Sequence, residues 1–207
     1  MKAYESDFIS LEFVSKRDGG QATIRWLKPT SVVTRVILPG TGPERPIERN
    51  WDGLPEDTQR VQASIAGLRN KKLGRNDDYE LQVISRGQKF ATLVWDGDQE
   101  TEELSDLRRM LERIGHLKFV EALAYLERGR AFVERGELAS AIKSLRTGIQ
   151  ILGDLYVSPA TEDDTGMKLV LAEHKEENGE LDTALSLFER VLESRISEYL
   201  RLHKLDR

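Results

Sequence analysis

The residues of this chain that could carry out catalysis or hold a metal are few, and their spacing suits neither role. Its three histidines are His116, His174 and His203, and none belongs to a His-x-x-x-His or His-Glu-x-x-His pair. The acidic run Glu162–Asp164 lacks the alternating oxygen ligands and distal glutamate of a calcium loop, so we expect an acidic loop that caps a helix starting at Thr165. Gly40-Thr41-Gly42 is not followed by the Gly-Lys-Ser/Thr of a phosphate loop. The sequence therefore predicts a non-enzymatic protein with no catalytic, metal-binding or cofactor-binding residue.

The composition narrows the expected partners and compartment. The 207 residues include no cysteine, which excludes disulfides, thiolate zinc sites, iron–sulfur clusters and cysteine nucleophiles. Residues 1–100 carry 15 basic and 15 acidic side chains, whereas residues 101–207 carry 16 and 21, so the net charge of −5 lies in the second half. Because neither half is strongly basic, we expect no nucleic-acid partner. No apolar run approaches the about 20 residues that cross a bilayer, and none follows Met1, so we expect no membrane insertion and a cytoplasmic location.

One tryptophan and several cations have side chains suited to binding another protein. Trp51 lies beside Arg49 in the polar segment 39–53, whose prolines and glycines predict a long loop. An exposed tryptophan next to an arginine is a favoured interface anchor, and the alternative is that the ring folds back over its own sheet. Further candidates for binding a partner's carboxylates are Arg128, Arg130, Arg135, Lys143 and Arg146. The alternative for these cations is a solvated helix face.

The pattern of the first half predicts an α+β domain over residues 1–98. Five runs rich in β-branched and aromatic residues occur at residues 8–14, 22–27, 31–38, 79–84 and 89–95. Asp18-Gly19-Gly20 between the first two runs is a hairpin signal, as is Arg86-Gly87-Gln88 between the last two. Pro55, followed by acidic residues, predicts a helix that begins near Leu54. The order β-β-β-α-β-β implies a small antiparallel sheet with one covering helix.

This order of elements resembles the emfourin family of small protease-inhibitor-like proteins. The resemblance covers residues 8–110 and rests on the strand–Gly19-Gly20–strand opening, the helix from Leu54 and the closing pair that begins with Asp78-Tyr79-Glu80-Leu81. It implies that the first domain inhibits a protease. No inhibitory residue is transferred, because the resemblance is one of elements and not of individual residues.

The second half contains one sequence pattern twice. After residue 98 the apolar spacing becomes helical, which predicts an all-helical domain over residues 99–207 that opens with a helix at 100–114. Gly136-Glu137-Leu138 and Gly179-Glu180-Leu181 lie 43 residues apart, and each is followed by an alanine five positions after its glycine. A glycine turn between two amphipathic runs is typical of a helical hairpin, so the chain is predicted to form two of them.

These hairpins resemble tetratricopeptide repeats over about residues 118–202. In the first copy, Tyr125 matches the large residue of the first helix, Gly129 the point of close approach and Phe132 the core position. Gly136 then makes the turn, and Ala141 is the small residue of the second helix. Leu145, Gly148 and Ile149 continue the buried face of that helix.

The second copy departs from the repeat pattern in two ways. For its turn and buried face it offers Leu171, Ala172, Gly179, Ala184, Phe188, Val191 and Leu192. However, Lys168 and Lys175 stand where the first copy has its aromatic residues. The spacing of 43 also exceeds the usual period of about 34, and residues 152–165 carry the extra length. Because stacks of repeats usually need about three units, the helix at 100–114 and the last helix, or a second chain, must complete this one.

The resemblance implies a protein–protein interaction module that acts as an adaptor, a chaperone-like factor or an assembly subunit. Its partner would be another protein or peptide that binds in the groove of the hairpins. The apolar residues of the last helix, from Leu181 to Leu202, extend beyond what one neighbouring hairpin covers, so a homo-oligomer through that helix is an open alternative. Two further alternatives are protease inhibition by residues 1–100 and an enzyme whose site lies between the domains.

Overall fold

The computed structural model describes residues 9–16, 20–28, 31–40, 46–52, 55–65, 71–73, 76–85, 88–153 and 159–205. Contacts divide the chain into two units: the described residues up to Leu117 belong to the first, and those from Lys118 onward belong to the second. The first unit contains a largely antiparallel sheet and the second contains helices alone, which confirms the predicted α+β class.

The first unit is built on a seven-stranded sheet with the order β4-β3-β2-β1-β6-β7-β5. The strands are β1 (Ile9–Ser15), β2 (Gln21–Lys28), β3 (Ser31–Ile37), β4 (Ile47–Trp51), β5 (Lys71–Leu73), β6 (Tyr79–Ser85) and β7 (Gln88–Trp95). All neighbours pair antiparallel except the short edge strand β5, which runs parallel to β7. Because side chains alternate between the two faces of a strand, Phe13, Trp26 and Leu81 are almost fully buried beside more exposed neighbours.

Two strands lie where the sequence predicted irregular structure. The prediction of a continuous loop over 39–53 is wrong, because it contains β4, whose residues pair with β3 from Val36 opposite Ile47 to Val32 opposite Trp51. Lys71–Leu73, which is not among the five strand-like runs of the sequence, likewise forms a strand, β5, that pairs with β7. Both are short edge strands, which obtain their hydrogen bonds from a neighbouring strand and carry little β-propensity of their own. The predicted hairpin turns at Asp18-Gly19 and Arg86-Gly87 lie outside the described residues.

Two helices accompany the sheet in the first unit. Helix α1 (Pro55–Ile65) buries Val61 and Ile65, which lie four residues apart on one face of the helix. Helix α2 (Glu102–Ile114) begins where the Thr101 hydroxyl accepts a hydrogen bond from the Leu104 N–H. Its apolar face is buried and consists of Leu104, Leu107, Leu111 and Ile114.

The end of α2 is fixed to the sheet by a buried hydrogen bond. The Thr34 hydroxyl of β3 donates to the Gly115 carbonyl at 2.6 Å. A Cβ atom on Gly115 would come within 2.8 Å of both Thr34 and Ile24, so only glycine allows this approach. Helix α2 therefore belongs to the first unit, and the division between the units follows Leu117 instead of residue 98.

The second unit contains four helices, α3 (Leu117–Glu134), α4 (Leu138–Gly153), α5 (Pro159–Glu177) and α6 (Leu181–His203). Helix α5 begins at Pro159 and not at Thr165, so the acidic residues 162–164 belong to a helix and do not form the predicted loop. Proline and acidic residues both favour the first turn of a helix, the former because it lacks an N–H and the latter because of the helix dipole. None of the described helices is long and apolar enough to cross a membrane.

Small residues allow the helices of the second unit to pack closely. A Cβ on Gly129 of α3 would lie 2.9 Å from Leu145 of α4, and one on Gly148 of α4 would lie 2.8 Å from Leu192 of α6. Three small residues of the repeated pattern, Ala141, Ala172 and Ala184, have no exposed surface. These positions thus keep the backbones close enough for Leu145 and Leu192 to fill the core.

Candidate interaction surface of the helical unit

The first repeated pattern closes helix α3 with a double hydrogen bond. The Gly136 N–H donates to the Val133 carbonyl, and the Glu137 N–H donates to the Phe132 carbonyl, both at 2.9 Å. This pair of bonds is the Schellman motif, which satisfies carbonyls at the end of a helix and requires a left-handed residue. Gly136 has a φ of 73°, a conformation that glycine adopts without the steric cost of a Cβ.

The second pattern repeats this geometry 43 residues later. The Gly179 N–H donates to the Glu176 carbonyl at 3.0 Å, and the Glu180 N–H donates to the Lys175 carbonyl at 2.9 Å. Gly179 has a φ of 76°. The two predicted helical hairpins, α3–α4 and α5–α6, are therefore present and are closed by equivalent turns.

The two lysines of the second copy form ion pairs within their own hairpin. The Lys175 ammonium donates to both carboxylate oxygens of Glu180, at 2.7 and 2.9 Å, and thereby spans the turn. Lys168 donates to Asp164, four residues earlier on α5. Where the first copy has aromatic residues, the second copy thus has short-range ion pairs near the surface.

Helix α5 packs through small and polar side chains and exposes its large apolar ones. Thr165 and Ala172 are buried against the rest of the unit. On the opposite side, Met167 is 67% exposed, Val170 66% and Leu171 45%. We call these three residues the α5 stripe. Single exposed apolar residues are common on proteins, but three adjacent ones on one helix face form a patch.

The sequence prediction placed Leu171 in the buried face of the second copy, and this is wrong. Leu171 precedes the fully buried Ala172, and adjacent residues on a helix point about 100° apart. The spacing 167, 170, 171 was a signal for a separate stripe, since these positions lie three and four residues apart. A match to the repeat pattern does not by itself fix on which side of the helix a residue lies, whereas the helical spacing does.

One predicted carboxylate-binding cation, Arg130, binds carboxylates of this chain. Its Nε donates to Glu189 at 2.8 Å and its Nη2 donates to Glu193 at 2.7 Å, which links α3 to α6. The hydrogen bond to Glu189 raises the pKa of Arg130 above its ordinary value. Arg130 therefore connects the two hairpins.

Arg146 has a similar role. Its guanidinium donates to Glu176 and so links α4 to α5. The same group lies 5.0 Å from the ring centroid of Phe188 on α6, within the range of a cation–π contact. Arg130 and Arg146 thus both pair with glutamates across the two hairpins, so their charges are already neutralised within the chain.

The remaining cations of the helical unit lie on different parts of its surface. Arg128 is partly buried on α3, and its guanidinium lies 5.9 Å from the Tyr125 ring centroid. Arg135 is exposed in the first turn, and Lys143 is exposed on α4. These three side chains therefore lie on different elements, and only Arg128 is partly buried.

Trp51 and Arg49 belong to the first unit, at the end of its sheet. Trp51 is only 8% exposed, and its ring meets the edge of His116 with centroids 4.8 Å apart. The tryptophan therefore folds back over its own unit, and the exposure that would make it an interface anchor is absent. Arg49 is exposed on β4, where its Nη1 donates to the Glu48 carbonyl at 3.0 Å.

The last helix hides the apolar face that suggested a homo-oligomer. Its large residues Leu185, Phe188, Val191, Leu192, Ile196 and Tyr199 are buried within the chain. Phe119 of α3 stacks on Tyr199 with centroids 4.9 Å apart, and burial raises the pKa of Tyr199 to about 12. Only Leu202, at 41% exposure, is open near the end of the helix. Helix α6 is therefore the core helix of its unit.

The first unit contains a tight polar cluster at the start of α2. The Arg108 guanidinium donates from Nε and Nη2 to the two carboxylate oxygens of Glu100, at 2.9 and 3.0 Å, and also to Glu112 at 3.1 Å. The Trp95 indole N–H donates to the same Glu100 at 3.0 Å. Burial alone would raise the pKa of Glu100, but the hydrogen bonds from Arg108 and Trp95 outweigh it and lower that pKa. The cluster is satisfied from within, so it anchors α2 to the end of β7.

The three histidines lie apart from one another. His116 contacts Trp51, His174 contacts the Asn178 amide at 3.1 Å, and the ring of His203 lies 4.2 Å from that of Tyr199. Within the described part of the chain, no three histidine or acidic side chains come together in a way that could hold a metal ion.

The chain matches no family model, no curated protein and no solved structure. The resemblances to tetratricopeptide repeats and to emfourins therefore stay predictions.

Proposed function

We propose that the helical unit is a tetratricopeptide-like module that binds another protein or peptide. In this proposal the chain acts without catalysis, as an adaptor, a chaperone-like factor or an assembly subunit. Hairpins of this design stack through their buried faces, and the stack presents a concave surface that recognises partners.

The observation that carries the proposal is the structural equivalence of the two hairpins. Gly136 and Gly179 adopt the same left-handed conformation, and each closes its helix with the same pair of hydrogen bonds. Gly148 of the first hairpin approaches Leu192 of the second so closely that a Cβ would lie 2.8 Å from it, and Ala184 of the second hairpin is fully buried. Arg130 and Arg146 reinforce that junction with ion pairs. The two repeated units are thus held together by a close helix contact and by interhelical ion pairs.

The proposal is tested by affinity capture of the full chain, with cross-linking, from cells that produce it. Three variants each place a charge on one exposed apolar side chain of the helical unit: Val133→Glu on α3, Leu171→Glu on α5 and Leu202→Glu on α6. We expect the wild-type chain to retain a defined protein and at least one of these variants to lose it by about tenfold. Circular dichroism and thermal melting check that each variant is folded.

Leu27→Glu in β2 is the matched control, because Leu27 is 53% exposed but belongs to the first unit. It should retain the partner. The proposal fails if no protein is retained, if only Leu27→Glu loses the partner, or if none of the three helical variants weakens capture.

A further inference from the structure

The α5 stripe lies within a strongly acidic helix. Helix α5 has six acidic residues and two lysines, so its net charge of −4 accounts for most of the −5 carried by the whole chain. Both lysines are already paired, Lys168 with Asp164 and Lys175 with Glu180. Arg146 of α4 pairs with one further acidic residue, Glu176, so a local excess of negative charge remains on α5.

Two of the acidic side chains border the stripe directly. Glu173 and Glu177 follow Val170 by three and seven residues, so they lie along the same side of the helix as that valine. Both are exposed. Neither has an ion-pair partner among the residues that the structure describes. The exposed surface of α5 is thus an apolar strip with an acidic edge.

We propose that the α5 stripe docks an amphipathic helix of another protein, one that has a row of apolar side chains bordered by lysine or arginine. This inference rests on the proposed function and specifies the surface and the chemistry of the partner. The partner's apolar side chains would cover Met167, Val170 and Leu171, and its cations would pair with Glu173 and Glu177. Helix-in-groove recognition commonly uses anchors at this spacing, and charge complementarity sets the orientation.

The charge of α5 argues against the other occupants of such a surface. A second copy would bring two helices of net charge −4 together, and like charges at an interface are unfavourable. Anionic lipid surfaces and nucleic acids would be repelled for the same reason. Methionine adds to the case for a peptide partner, because its flexible thioether adapts to irregular apolar side chains.

The test measures binding of a synthetic helical peptide to the full-length protein by fluorescence anisotropy. The probe has about 20 residues, with leucines at positions i, i+3, i+4 and i+7 and lysines along one border. A second peptide has glutamates in place of the lysines, and a third is a scrambled version of the first. We expect saturable binding of the lysine peptide and at least about tenfold weaker binding of the other two.

Variants of the protein then locate the site and test the charge pairing. Val170→Glu should lower the affinity for the lysine peptide by at least about tenfold. Leu27→Glu in the first unit should leave that affinity unchanged. The double variant Glu173→Lys with Glu177→Lys should reverse the preference, so that the glutamate peptide binds better than the lysine peptide. All altered residues are exposed, so the variants should keep the wild-type circular dichroism.

Three results would overturn the inference. One is equal binding of the lysine and scrambled peptides, and another is unchanged binding after Val170→Glu. The third is a wild-type dimer in sedimentation that Val170→Glu converts to a monomer, since a second copy would then cover the stripe. The wider function would still stand if the partner captured from cells is lost with Val133→Glu or Leu202→Glu but kept with Leu171→Glu.

Discussion

Glu100 contributes to the stability of the first unit through charge-assisted hydrogen bonds to a single arginine. The Arg108 guanidinium donates hydrogen bonds to both carboxylate oxygens of Glu100. The same guanidinium lies 5.3 Å from the centroid of the Tyr79 ring. Bidentate pairs of this kind are strong because both groups are held in register and partly shielded from water. The cluster joins β6, β7 and α2, which explains why α2 belongs to the sheet unit.

Replacing Glu100 with glutamine should destabilise the protein by about 1–3 kcal/mol at neutral pH, because Arg108 would lose a charged acceptor. The pKa of Glu100 is lowered by folding, so its carboxylate stabilises the folded state above the unfolded pKa of about 4.5. That contribution is lost as the pH falls through the lower folded pKa. Urea unfolding at several pH values should therefore show the wild-type and Glu100→Gln stabilities converging in acid.

Glu134→Gln is the control for this prediction, because Glu134 is exposed at the end of α3. It should change stability by no more than about 0.5 kcal/mol at any pH. A constant difference between wild-type and Glu100→Gln from neutral to acidic pH would contradict the assignment of the carboxylate.

At the scale of the helices, the fold depends on where glycine removes bulk. Gly148 on α4 faces Leu192 of α6 and Tyr125 of α3, which places it at the meeting point of three helices. A Cβ on Gly166 of α5 would meet no atom within 4 Å apart from its chain neighbours and the backbone of its own helix. At Gly148 the packing requires glycine, whereas at Gly166 only the intrinsic helix propensity of the residue matters.

Alanine substitutions at Gly148 and Gly166 should change the free energy of unfolding in opposite directions. Gly148→Ala should destabilise by about 1–3 kcal/mol, because its methyl group would lie 2.8 Å from the buried Leu192 and the core would have to shift. Gly166→Ala should stabilise by up to about 1 kcal/mol, because alanine favours the helix and fits the open space. Thermal and chemical unfolding measure both, and a stabilised Gly148→Ala would contradict the packing of α4 on α6.

At the scale of the whole molecule, the division after Leu117 makes a prediction about local stability. Leu81 is fully buried in the sheet, and its truncation to alanine should lower stability by about 2–5 kcal/mol. Hydrogen exchange should then show faster exchange in both β6 and α2, because α2 shares the first unit. Leu192→Ala is the matched change in the second unit, and it should speed hydrogen exchange mainly in α4 and α6.

The boundary would need revision if Leu81→Ala left the exchange of α2 unchanged while it weakened the sheet. The same outcome would favour the boundary at residue 98 that the change of periodicity suggested. The apolar periodicity of a sequence shows where a helix lies and which of its faces is apolar. It does not show which surface that face will cover, so it cannot assign the helix to a unit.

Much of the fold was predictable because it depends on local patterns. Alternating apolar residues specified the central strands, and the Gly-Glu-Leu turns specified the two hairpins, since a left-handed glycine is a local backbone requirement. Strands β4 and β5 were not predictable, because an edge strand is defined by the neighbour it pairs with. For the same reason the burial of Trp51 depends on β3 and His116, which are distant in sequence.

The candidate interaction surface also depends on contacts between residues that are distant in sequence. The sequence alone determined that the chain has two helical hairpins, no cysteine, and its net negative charge in residues 101–207. Only the tertiary structure decided which cations are occupied, because Arg130 and Arg146 meet their carboxylates across helices 30 or more residues apart. It also decided that α6 is covered while the α5 stripe is open, since burial depends on what each helix packs against and not on its own composition.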